Sequence, residues 1–404
     1  MLEFKTFSDI QTLLDRLGLF HMDLSLDRME SFVAAWKGRL SVVHVVGTNG
    51  KGSTATFLER IAHAHGLVTG LHTSPHFVDV RERIRLNGAL ISKADWVELA
   101  NQLDALAGSL GLTYFEWLTC LSALAFERGG VDIAVMEAGL GGRFDATRVF
   151  APQLTLLTPV GMDHEVVLGS TLAEIADDKS RAMRPGGMVI TVPQAPEVME
   201  VYERRAAAVG ATLLLAGEVA QDRPLGLAGA HQRTNAGLAL AGWEALCELT
   251  GRTSDPEACA RGLATAQLPG RLQVVEDSPR LILDGAHNAH GLAALGHALK
   301  ETDLRPDALL FACMRDKNVA EMVTSLLALS DGSIYLPELP DHERVLPAGE
   351  LARMIGNRAV VVPTVAEALA QAGAGAKTVM LCGSLYLLAE FYKLHPHLLA
   401  PAEH

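Results

Sequence analysis

A glycine-rich turn that carries one lysine and two hydroxyl residues follows a short apolar run early in the chain, at residues 42–54. The apolar run is typical of a buried strand, and Ser53 can open the helix that follows it. Glycines let the backbone curl around phosphate oxygens, Lys51 supplies a compact positive charge, and the hydroxyl of Ser53 or Thr54 can hold magnesium. The pattern therefore predicts a phosphate-binding loop.

The spacing of this loop differs from the general pattern G-x-x-x-x-G-K-[ST]. That pattern requires glycine at Val45 and a hydroxyl residue directly after the lysine, where this chain has Gly52. A plain strand-to-helix connection is the alternative, but the lysine, the hydroxyls and the flanking elements agree with nucleotide binding. The loop indicates a nucleotide without indicating which reaction uses it.

Three other polar residues follow apolar runs. Glu137 comes directly after residues 131–136, His164 follows the run that begins at Leu154, and Ser74 comes soon after Leu71. In an open parallel sheet, ligands gather beyond the carboxyl ends of the strands. We expect the carboxylate of Glu137 and the imidazole of His164 to share a magnesium ion there, and Ser74 to add a hydroxyl ligand. The alternative interpretations are a solvated strand end for Glu137, a structural role for His164 and a simple Ser-Pro turn for Ser74.

Two further residues have competing interpretations. Lys179 lies in a helical pattern with acidic neighbours, so composition alone favours a surface salt bridge. Asp284 ends the apolar run 281–283 and precedes Gly-Ala-His-Asn. We expect its carboxylate to contact a ribose or an amine, and the alternative is an N-cap for a helix that starts near His290.

Length and composition set the limits for these hypotheses. The chain has 404 residues, which predicts two domains, and 49% of them are hydrophobic, which predicts a sizeable core. The formal net charge of −13 argues against a nucleic acid or an anionic membrane as the main partner. An anionic nucleotide must therefore be held by local dipoles and a metal ion.

The five cysteines are scattered through the sequence, and no pair has the spacing of a zinc site. Buried free thiols in a reducing cytosol explain them best. The N-terminal residues lack a basic region followed by an apolar stretch, and no run approaches the length of a membrane span. We therefore expect a cytoplasmic protein.

Short apolar runs alternate with helical periodicity in two series. The first series comprises residues 40–46, 68–71, 131–136, 154–158 and 188–192, and the second comprises residues 281–283, 308–313, 360–362 and 379–382. This alternation predicts mainly parallel sheets covered by helices. Two of the helices are expected at 115–125 and from about His231 to Leu246.

The two series are separated by Leu268-Pro269-Gly270-Arg271. A Pro-Gly pair at such a break predicts a hinge, with an ordinary turn within one domain as the alternative. The predicted organisation is an N-terminal domain at 1–267, a hinge at 268–274 and a C-terminal domain at 275–404.

These segments together resemble the folylpolyglutamate synthase and dihydrofolate synthase family, a branch of the Mur-type ATP-dependent amide ligases. The matching segments, in chain order, are residues 22–24, 26–28, 47–53, 73–76, 81–84, 113–116, 137–147, 163–164, 231–232, 235–236, 269–271, 284–288 and 383–386. Each motif is weak by itself, but the ordered set is specific and spans nearly the whole chain.

The resemblance implies a fold and a set of ligands. The fold is α/β, with an N-terminal P-loop ATPase domain on a mainly parallel sheet and a smaller, Rossmann-like C-terminal α/β domain that carries the glutamate-ligase part. The implied cofactors are ATP and two magnesium ions. The implied partners are small molecules, namely dihydropteroate or reduced folates, L-glutamate and ATP, with no nucleic acid and no membrane, and the family suggests a monomer.

The resemblance also implies roles for individual residues around ATP. The phosphates are bound by Thr48, Asn49, Gly50, Lys51, Gly52 and Ser53. The remaining nucleotide contacts are Asn235, Arg271 and Asp284. The magnesium ligands are Ser53, Ser74, Glu137 and His164. Lys179 matches a lysine that is carbamylated in relatives, which replaces the salt-bridge interpretation given above.

The other substrates have their own residues in the family pattern. The pterin-binding positions are His21, Met22, Asp23, Leu24, Thr113, Tyr114, Phe115, Glu116, Phe144, Asp145 and Ala146. The residues near the incoming glutamate are His287 and Ser384, and the predicted catalytic residues are Lys51, Lys179 and His287. The chain departs from the family pattern around Lys179, at Arg148, where asparagine is usual, and at Asn318, which replaces an acid.

The predicted chemistry is amide formation through an acyl phosphate, because a free carboxylate is a poor electrophile. We predict two activities: glutamate addition to dihydropteroate, which gives dihydrofolate, and γ-linked glutamate extension of reduced folates. Alternatives are a folylpolyglutamate synthase alone and, in a different class, a nucleotide-binding regulatory protein without ligase chemistry. A peptidoglycan-precursor ligase is disfavoured because residues 40–53 come too early for a preceding UDP-sugar-binding domain.

Overall fold

The computed structural model describes residues 3–19, 21, 23–302, 304–340 and 342–399. The chain forms two compact units. The first contains the chain up to Val160 together with Leu172–Pro224 and Thr234–Ala266, and the second contains Gly161–Thr171, Leu225–Arg233 and the chain from Gln267 onward. The predicted domain limits at 1–267, 268–274 and 275–404 stay a prediction.

The first unit is built on an eight-stranded sheet in the order β4-β3-β2-β5-β1-β6-β7-β8. Its strands are β1 (Val42–Val46), β2 (Thr69–His72), β3 (Ile84–Leu86), β4 (Ala89–Leu90), β5 (Ile133–Glu137), β6 (Leu154–Leu157), β7 (Met188–Thr191) and β8 (Thr212–Leu215). In the part of the chain that the structure describes, the strands from β2 to β8 in this order pair in parallel, and only the pairs β2–β3 and β3–β4 are antiparallel.

Helices connect these strands and cover the sheet. They are α1 (Phe7–Leu17), α2 (Asp27–Trp36), α3 (Lys51–Ala64), α4 (Lys93–Ala107), α5 (Tyr114–Arg128), α6 (Glu165–Leu168), α7 (Leu172–Ser180), α8 (Pro196–Val209), α9 (His231–Thr250) and α10 (Pro256–Thr265). Helices α6 and the first residues of α9 belong to the second unit. The predicted helices at 115–125 and from His231 correspond to α5 and α9.

The core of the first unit explains why the sheet carries apolar runs rather than alternating patterns. All five residues of β1 are buried, as are all five of β5. A parallel strand covered on both faces needs apolar side chains at every position. The aromatic side chains of Phe32, Trp96 and Phe126 are completely buried in the cluster beneath α1, α2, α4 and α5.

The second unit is a separate six-stranded sheet in the order β13-β12-β11-β14-β10-β9. Its strands are β9 (Gln273–Asp277), β10 (Arg280–Leu283), β11 (Ala308–Phe311), β12 (Ile334–Pro337), β13 (Ala359–Val362) and β14 (Thr378–Cys382). Its later helices are α11 (Ala289–Lys300), α12 (Val319–Leu327), α13 (Ala348–Ile355), α14 (Val365–Gly373) and α15 (Leu385–Leu394). Only β9 is antiparallel, so the predicted fold class of two α/β parts is confirmed.

The connections of the first sheet reverse direction at one point in the strand order. The chain leaves β1 toward β2 on one side of the sheet order, whereas it leaves β6 toward β7 on the other side. Such a reversal separates the two connections beyond the carboxyl ends of β1 and β6, where open α/β sheets bind ligands. The loop at 47–50 follows β1 at this edge. Among the described residues, no helix is long and apolar enough to cross a membrane.

Candidate functional site

The loop after β1 leads directly into the 14-residue helix α3. Gly50 precedes this helix with a φ of 85°, and no side chain caps the helix there. The backbone N–H groups of an uncapped first turn, together with the helix dipole, favour an anion. The ammonium of Lys51 folds back over the loop and donates to Gly47 O at 3.2 Å and Thr48 O at 3.1 Å. The loop therefore presents both dipoles and a positive charge.

Close packing explains why glycine is required at two positions of this loop. A Cβ atom on Gly47 would lie 1.9 Å from the hydroxyl of Thr158. A Cβ atom on Gly50 would lie 2.3 Å from Oδ1 of Asn235. Asn235 is 3% exposed and comes from α9, so the structure brings this predicted nucleotide-contacting residue against the phosphate loop.

The surroundings of the loop fit an oxygen-rich anion. Thr48 N and Asn49 N both donate to Pro159 O, at 3.0 Å and 3.2 Å, which ties the loop to the end of β6. The buried hydroxyls of Thr54 and Thr158 have no hydrogen-bond partner among the described residues. Ser53 is 3% exposed in the first turn of α3. Buried donors that still need a partner are what a phosphate or a hydrated cation can satisfy.

Lys179 is buried beside the same loop and is not a surface residue. It lies in α7, is 3% exposed, and its ammonium donates to Gly47 O at 2.9 Å. A Cβ atom on Gly142 would lie 2.6 Å from Lys179 O, and Gly142 N donates to Asp178 Oδ1 at 2.8 Å. The glycines that follow β5 thus let α7 come close enough for Lys179 to reach the phosphate loop, and the surface salt-bridge interpretation is wrong.

Glu137 and Ser74 meet at the same edge of the first sheet. Glu137 is the last residue of β5 and is 4% exposed, so it is not a solvated strand end. Its Oε2 atom accepts a hydrogen bond from Ser74 N at 3.0 Å. Strands β2, β5 and β1 are adjacent and parallel, which brings their carboxyl ends together. The carboxylate and the serine suit magnesium, which prefers oxygen ligands.

His164, the fourth predicted metal ligand, belongs to the second unit. It has a φ of 53° and precedes α6, and its backbone N–H donates to Asp163 Oδ1 at 2.8 Å. Its side chain is 42% exposed. The imidazole is therefore accessible, while its backbone is held by the neighbouring carboxylate.

Asp284 connects the end of β10 to the predicted hinge. Its Oδ2 accepts from Leu272 N at 2.9 Å and its Oδ1 accepts from Ala286 N at 2.8 Å. The alternative interpretation as an N-cap is wrong, because Asn288 caps α11 by accepting from Gly291 N at 2.7 Å. Arg271 lies close by, since a Cβ atom on Gly285 would lie 2.1 Å from its Nη1 atom. The predicted nucleotide residues of the second unit are thus neighbours.

His287 and Ser384 occupy different settings near this strand end. Nδ1 of His287 is 2.8 Å from Gly285 O and must carry the proton, because a carbonyl oxygen only accepts. Nε2 then has a free lone pair when the ring is neutral. Burial lowers the pKa of His287, although the carboxylate of Asp163 opposes that shift. Ser384 is 1% exposed and caps α15 by accepting from Tyr386 N at 3.1 Å.

The predicted pterin residues at the start of α5 are held by an arginine. Thr113 caps α5 in a capping box with Glu116, and Thr113 N donates to Glu116 Oε2 at 2.8 Å. Arg28 donates to both carboxylate oxygens of Glu116, at 2.9 Å and 3.0 Å, and to Asp23 Oδ2 at 2.6 Å. Arg28 was in the matching segment 26–28 but was not predicted as a site residue. Met22 lies outside the described residues.

The other predicted pterin residues differ in accessibility. The side chains of Leu24 and Phe144 are 56% and 37% exposed, and His21 is exposed as well. Tyr114 is 7% exposed beneath the guanidinium of Arg83, whose central carbon is 5.5 Å from the ring centroid. The ring of Phe115 lies 5.6 Å from that of His72, and Ala146 is buried.

Asp145 organises a loop in addition to any ligand contact. It is 4% exposed, and burial raises its pKa. It accepts hydrogen bonds from Gly139 N at 2.7 Å, Leu140 N at 3.1 Å, Thr147 N at 3.0 Å and Thr147 Oγ1 at 2.5 Å. These bonds shape the turn that follows Glu137.

Residues 270–385 match the glutamate ligase domain of Mur ligases. The match covers most of the second unit, and the first unit supplies a phosphate loop with two lysines. Together these features define a Mur-type ligase. Sequence relatives and solved structures show which branch it is.

The chain is 32% identical over 357 residues to the dihydrofolate synthase/folylpolyglutamate synthase of Bacillus subtilis, which covers 80% of this chain and 83% of that protein. It is 31% identical over 399 residues to the Escherichia coli enzyme of the same description, with coverage of 93% and 92%. The structure of E. coli FolC in complex with DHPP and ADP superposes with a TM-score of 0.89 and 29% identity, over 98% of this chain and 99% of that one.

The chain therefore belongs to the folylpolyglutamate synthase and dihydrofolate synthase family, as its motifs predicted. It is also 36% identical over 386 residues to a probable bifunctional folylpolyglutamate synthase/dihydropteroate synthase of Halobacterium salinarum. That match covers 86% of this chain but only 46% of the archaeal protein, so the chain spans about half the length of that relative.

Proposed function

We propose that this protein uses ATP to join L-glutamate to a pterin-linked carboxylate. It converts dihydropteroate to dihydrofolate and adds further γ-linked glutamates to reduced folates. The observation that carries the proposal is the convergence of Lys51 and Lys179 on the carbonyl of Gly47 in the phosphate loop. Lys51 supplies a positive charge at this loop, Lys179 lies beside it, and Glu137 lies at the end of a nearby strand, which together suit transfer of a highly charged phosphoryl group.

The first chemical step is attack of the substrate carboxylate on the γ-phosphate of ATP. Phosphoryl transfer needs little covalent help from the protein, so positioning and charge neutralisation provide most of the catalysis. Lys51 and the first-turn N–H groups of α3 bind the phosphates, and Asn235 supports the loop at Gly50. Ser53, Ser74 and Glu137 would hold magnesium, which would neutralise the phosphate charge when bound.

Lys179 serves this step best as a carbamate. Addition of carbon dioxide to its neutral amine releases one proton and leaves a carboxylate on the nitrogen. The carbamate nitrogen keeps one N–H, so the hydrogen bond to Gly47 O can persist.

The second step is attack of the glutamate amine on the carbonyl carbon of the acyl phosphate, which forms the amide bond, breaks the acyl C–O bond and releases inorganic phosphate and a proton. The amine must be unprotonated to act as a nucleophile. His287 suits this step because its Nδ1 proton is committed to Gly285 O and its Nε2 lone pair is available as a base. Its lowered pKa keeps the ring neutral near neutral pH. Ser384, at the start of α15, is the second residue that we assign to the glutamate.

Several properties of relatives support the proposal. E. coli FolC has been solved with DHPP and ADP, and a bifunctional folylpolyglutamate synthase/dihydrofolate synthase has been solved with Mn, AMPPNP and L-glutamate. The second structure is 29% identical to this chain, with a TM-score of 0.86 over 98% of it. A nucleotide, a divalent metal and L-glutamate are ligands that the proposed reaction also needs.

A substrate panel tests the proposal directly. Release of ADP is measured with dihydropteroate, tetrahydrofolate and methylenetetrahydrofolate, each with and without glutamate. We expect glutamate-dependent ADP release with all three. Failure with dihydropteroate alone would leave a folylpolyglutamate synthase, whereas ATP binding without any glutamate-dependent release would favour the regulatory alternative.

We also propose that the protein acts as a monomer in the cytoplasm. All five cysteines are buried free thiols, which suits a reducing compartment. Sedimentation of the purified protein across a concentration series tests the monomer, and fractionation of cells tests the location. A concentration-dependent shift to a larger species would contradict the first part.

A further inference from the structure

Lys317 lies in the segment Met314–Asn318, whose role the proposed function does not explain. The segment connects β11 to α12 in the second unit. The side chain of Lys317 is only 9% exposed, and its ammonium forms an ion pair with the carboxylate of Asp163, which is 5% exposed. A buried lysine needs a partner of this kind, because an isolated charge is costly to desolvate.

The same carboxylate makes two other hydrogen bonds. Oδ1 of Asp163 accepts from His164 N at 2.8 Å, and Oδ2 accepts from the side-chain amide of Asn288 at 2.9 Å. Oδ2 is also 3.8 Å from Nε2 of His287. The buried carboxylate of Asp163 thus contacts the backbone of His164, a predicted metal ligand. It also contacts the side chain of Asn288, which follows the predicted base His287 in the chain.

The segment that carries Asp163 requires such a restraint. Residues Gly161–Thr171 belong to the second unit, although the chain on both sides of them belongs to the first. His164 has a φ of 53°, a left-handed conformation that is uncommon outside glycine. Such a conformation persists only where the surroundings determine it. The hydrogen bond from His164 N to Asp163 is one of those determinants.

We propose that Asp163 and Lys317 are a positioning pair that fixes residues 161–171 beside His287. The charge of Lys317 holds the carboxylate in place, and the carboxylate in turn holds the backbone of His164 and the amide of Asn288. The effect on catalysis rests on the function proposed above, whereas the effect on the segment does not.

A purely stabilising ion pair is the competing explanation. Both explanations predict that removal of Lys317 destabilises the protein, since Asp163 would keep an uncompensated buried charge. Only the positioning role predicts that a variant which remains folded loses turnover. It also predicts rescue by Lys317→Arg, because a guanidinium can bind the same carboxylate.

The experiment compares Lys317→Met, Lys317→Arg and Lys393→Met as full-length proteins. Lys393 is a matched control, because its side chain is 49% exposed and pairs with Glu390 in the same unit. Hydrogen exchange followed by mass spectrometry reports on peptides that cover residues 161–171. We expect faster exchange there in Lys317→Met, and exchange as in the wild type in the other two variants.

Kinetics provide the second measurement. In Lys317→Met we expect kcat to fall about 10- to 100-fold, the usual loss when a group that orients a ligand is removed. Lys317→Arg should regain most of the lost turnover.

Unchanged exchange of residues 161–171 in Lys317→Met would overturn the proposal, and so would unchanged kcat in that variant. If Lys317→Met does not fold, Asp163→Asn replaces it, since an amide oxygen can still accept from His164 N. Faster exchange in Asp163→Asn would support the proposal, and unchanged exchange would refute it. A wild-type protein without glutamate-dependent ADP release would refute the proposed function, whereas the exchange data would still decide whether the pair positions the segment.

Discussion

The replacement Gly50→Ala tests the phosphate loop most sharply. Gly50 has a φ of 85°, which costs a residue with a Cβ atom about 1–2 kcal/mol. The new Cβ atom would also lie 2.3 Å from Oδ1 of Asn235, so that side chain must rotate away. We expect the loop of the variant to relax when free, and ATP must then restore the strained conformation on binding.

The backbone strain at residue 50 therefore weakens the binding of ATP. A strain of about 1–2 kcal/mol corresponds to about 5- to 30-fold weaker binding of ATP. Titration calorimetry with a non-hydrolysable ATP analogue measures this loss. The double variant Gly50→Ala/Asn235→Ala removes the collision but keeps the backbone strain, and its comparison with Asn235→Ala alone separates the two causes from any loss of the asparagine's own contact with ATP.

Gly66→Ala is a matched control for this experiment. Gly66 follows α3 with a φ of 81°, and a Cβ atom there would meet nothing within 4 Å. Its replacement should cost a similar free energy of unfolding, measured by urea denaturation, without changing the affinity for ATP. The reasoning is refuted if Gly50→Ala binds the analogue as tightly as the wild type, or if Gly66→Ala weakens binding equally.

Three further predictions concern the buried charged groups. Lys179→Ala should abolish ADP release, and a short carboxylate in the assay should restore part of it if the carbamate forms. Arg28→Met should remove the ion-pair partner of Glu116, and so raise the KM for the pterin substrate about tenfold or more while the KM for ATP stays the same. The free energy of unfolding should decrease when the pH is lowered, because burial lowers the pKa of His44 and of His72 from 6.5 to about 3. Both rings are neutral when folded, so stability is full above the unfolded pKa and decreases below it, by up to about 2 kcal/mol each by about pH 5.

Specific outcomes would contradict these predictions. Full activity of Lys179→Ala, or no rescue by any small carboxylate, would argue against the carbamate. A Lys93→Met variant is the control for Arg28→Met, since Lys93 contacts the ring of Phe7 instead of the predicted pterin residues. An equal rise in both KM values for Arg28→Met would indicate general damage. Urea unfolding curves at about pH 7 and about pH 5 that give the same free energy would refute the histidine prediction.

Much of the fold was predictable because parallel strands buried on both faces are continuous apolar runs. Residues 131–136 and 154–158 contain most of β5 and β6, for example. The strands β3, β4, β8, β9 and β12 were not predicted. The strand β4 has two residues and β3 has three, which is too short for any periodicity to show. Strand β8 is an edge strand that pairs with β7 alone, and this pairing is possible only once the rest of the sheet has formed.

The candidate site was predictable where a residue follows a strand. Glu137 and Ser74 were expected at a common edge, and the structure joins them through a hydrogen bond. The partners of the predicted pterin residues were not predictable. The sequence does not show that Arg28 binds Glu116, because the two residues are 88 positions apart and only helix packing brings them together.

The sequence by itself determined the family, the fold class and the chemical character of the phosphate loop, because these depend on local residue types and on the order of motifs. Only the tertiary structure decided which charges are buried and what they contact. Lys179 illustrates the difference: its neighbours in sequence are acids, yet its ammonium reaches Gly47 O, 132 residues away. The free energy of a buried charge depends on the groups that surround it in space, and sequence neighbours do not specify those groups.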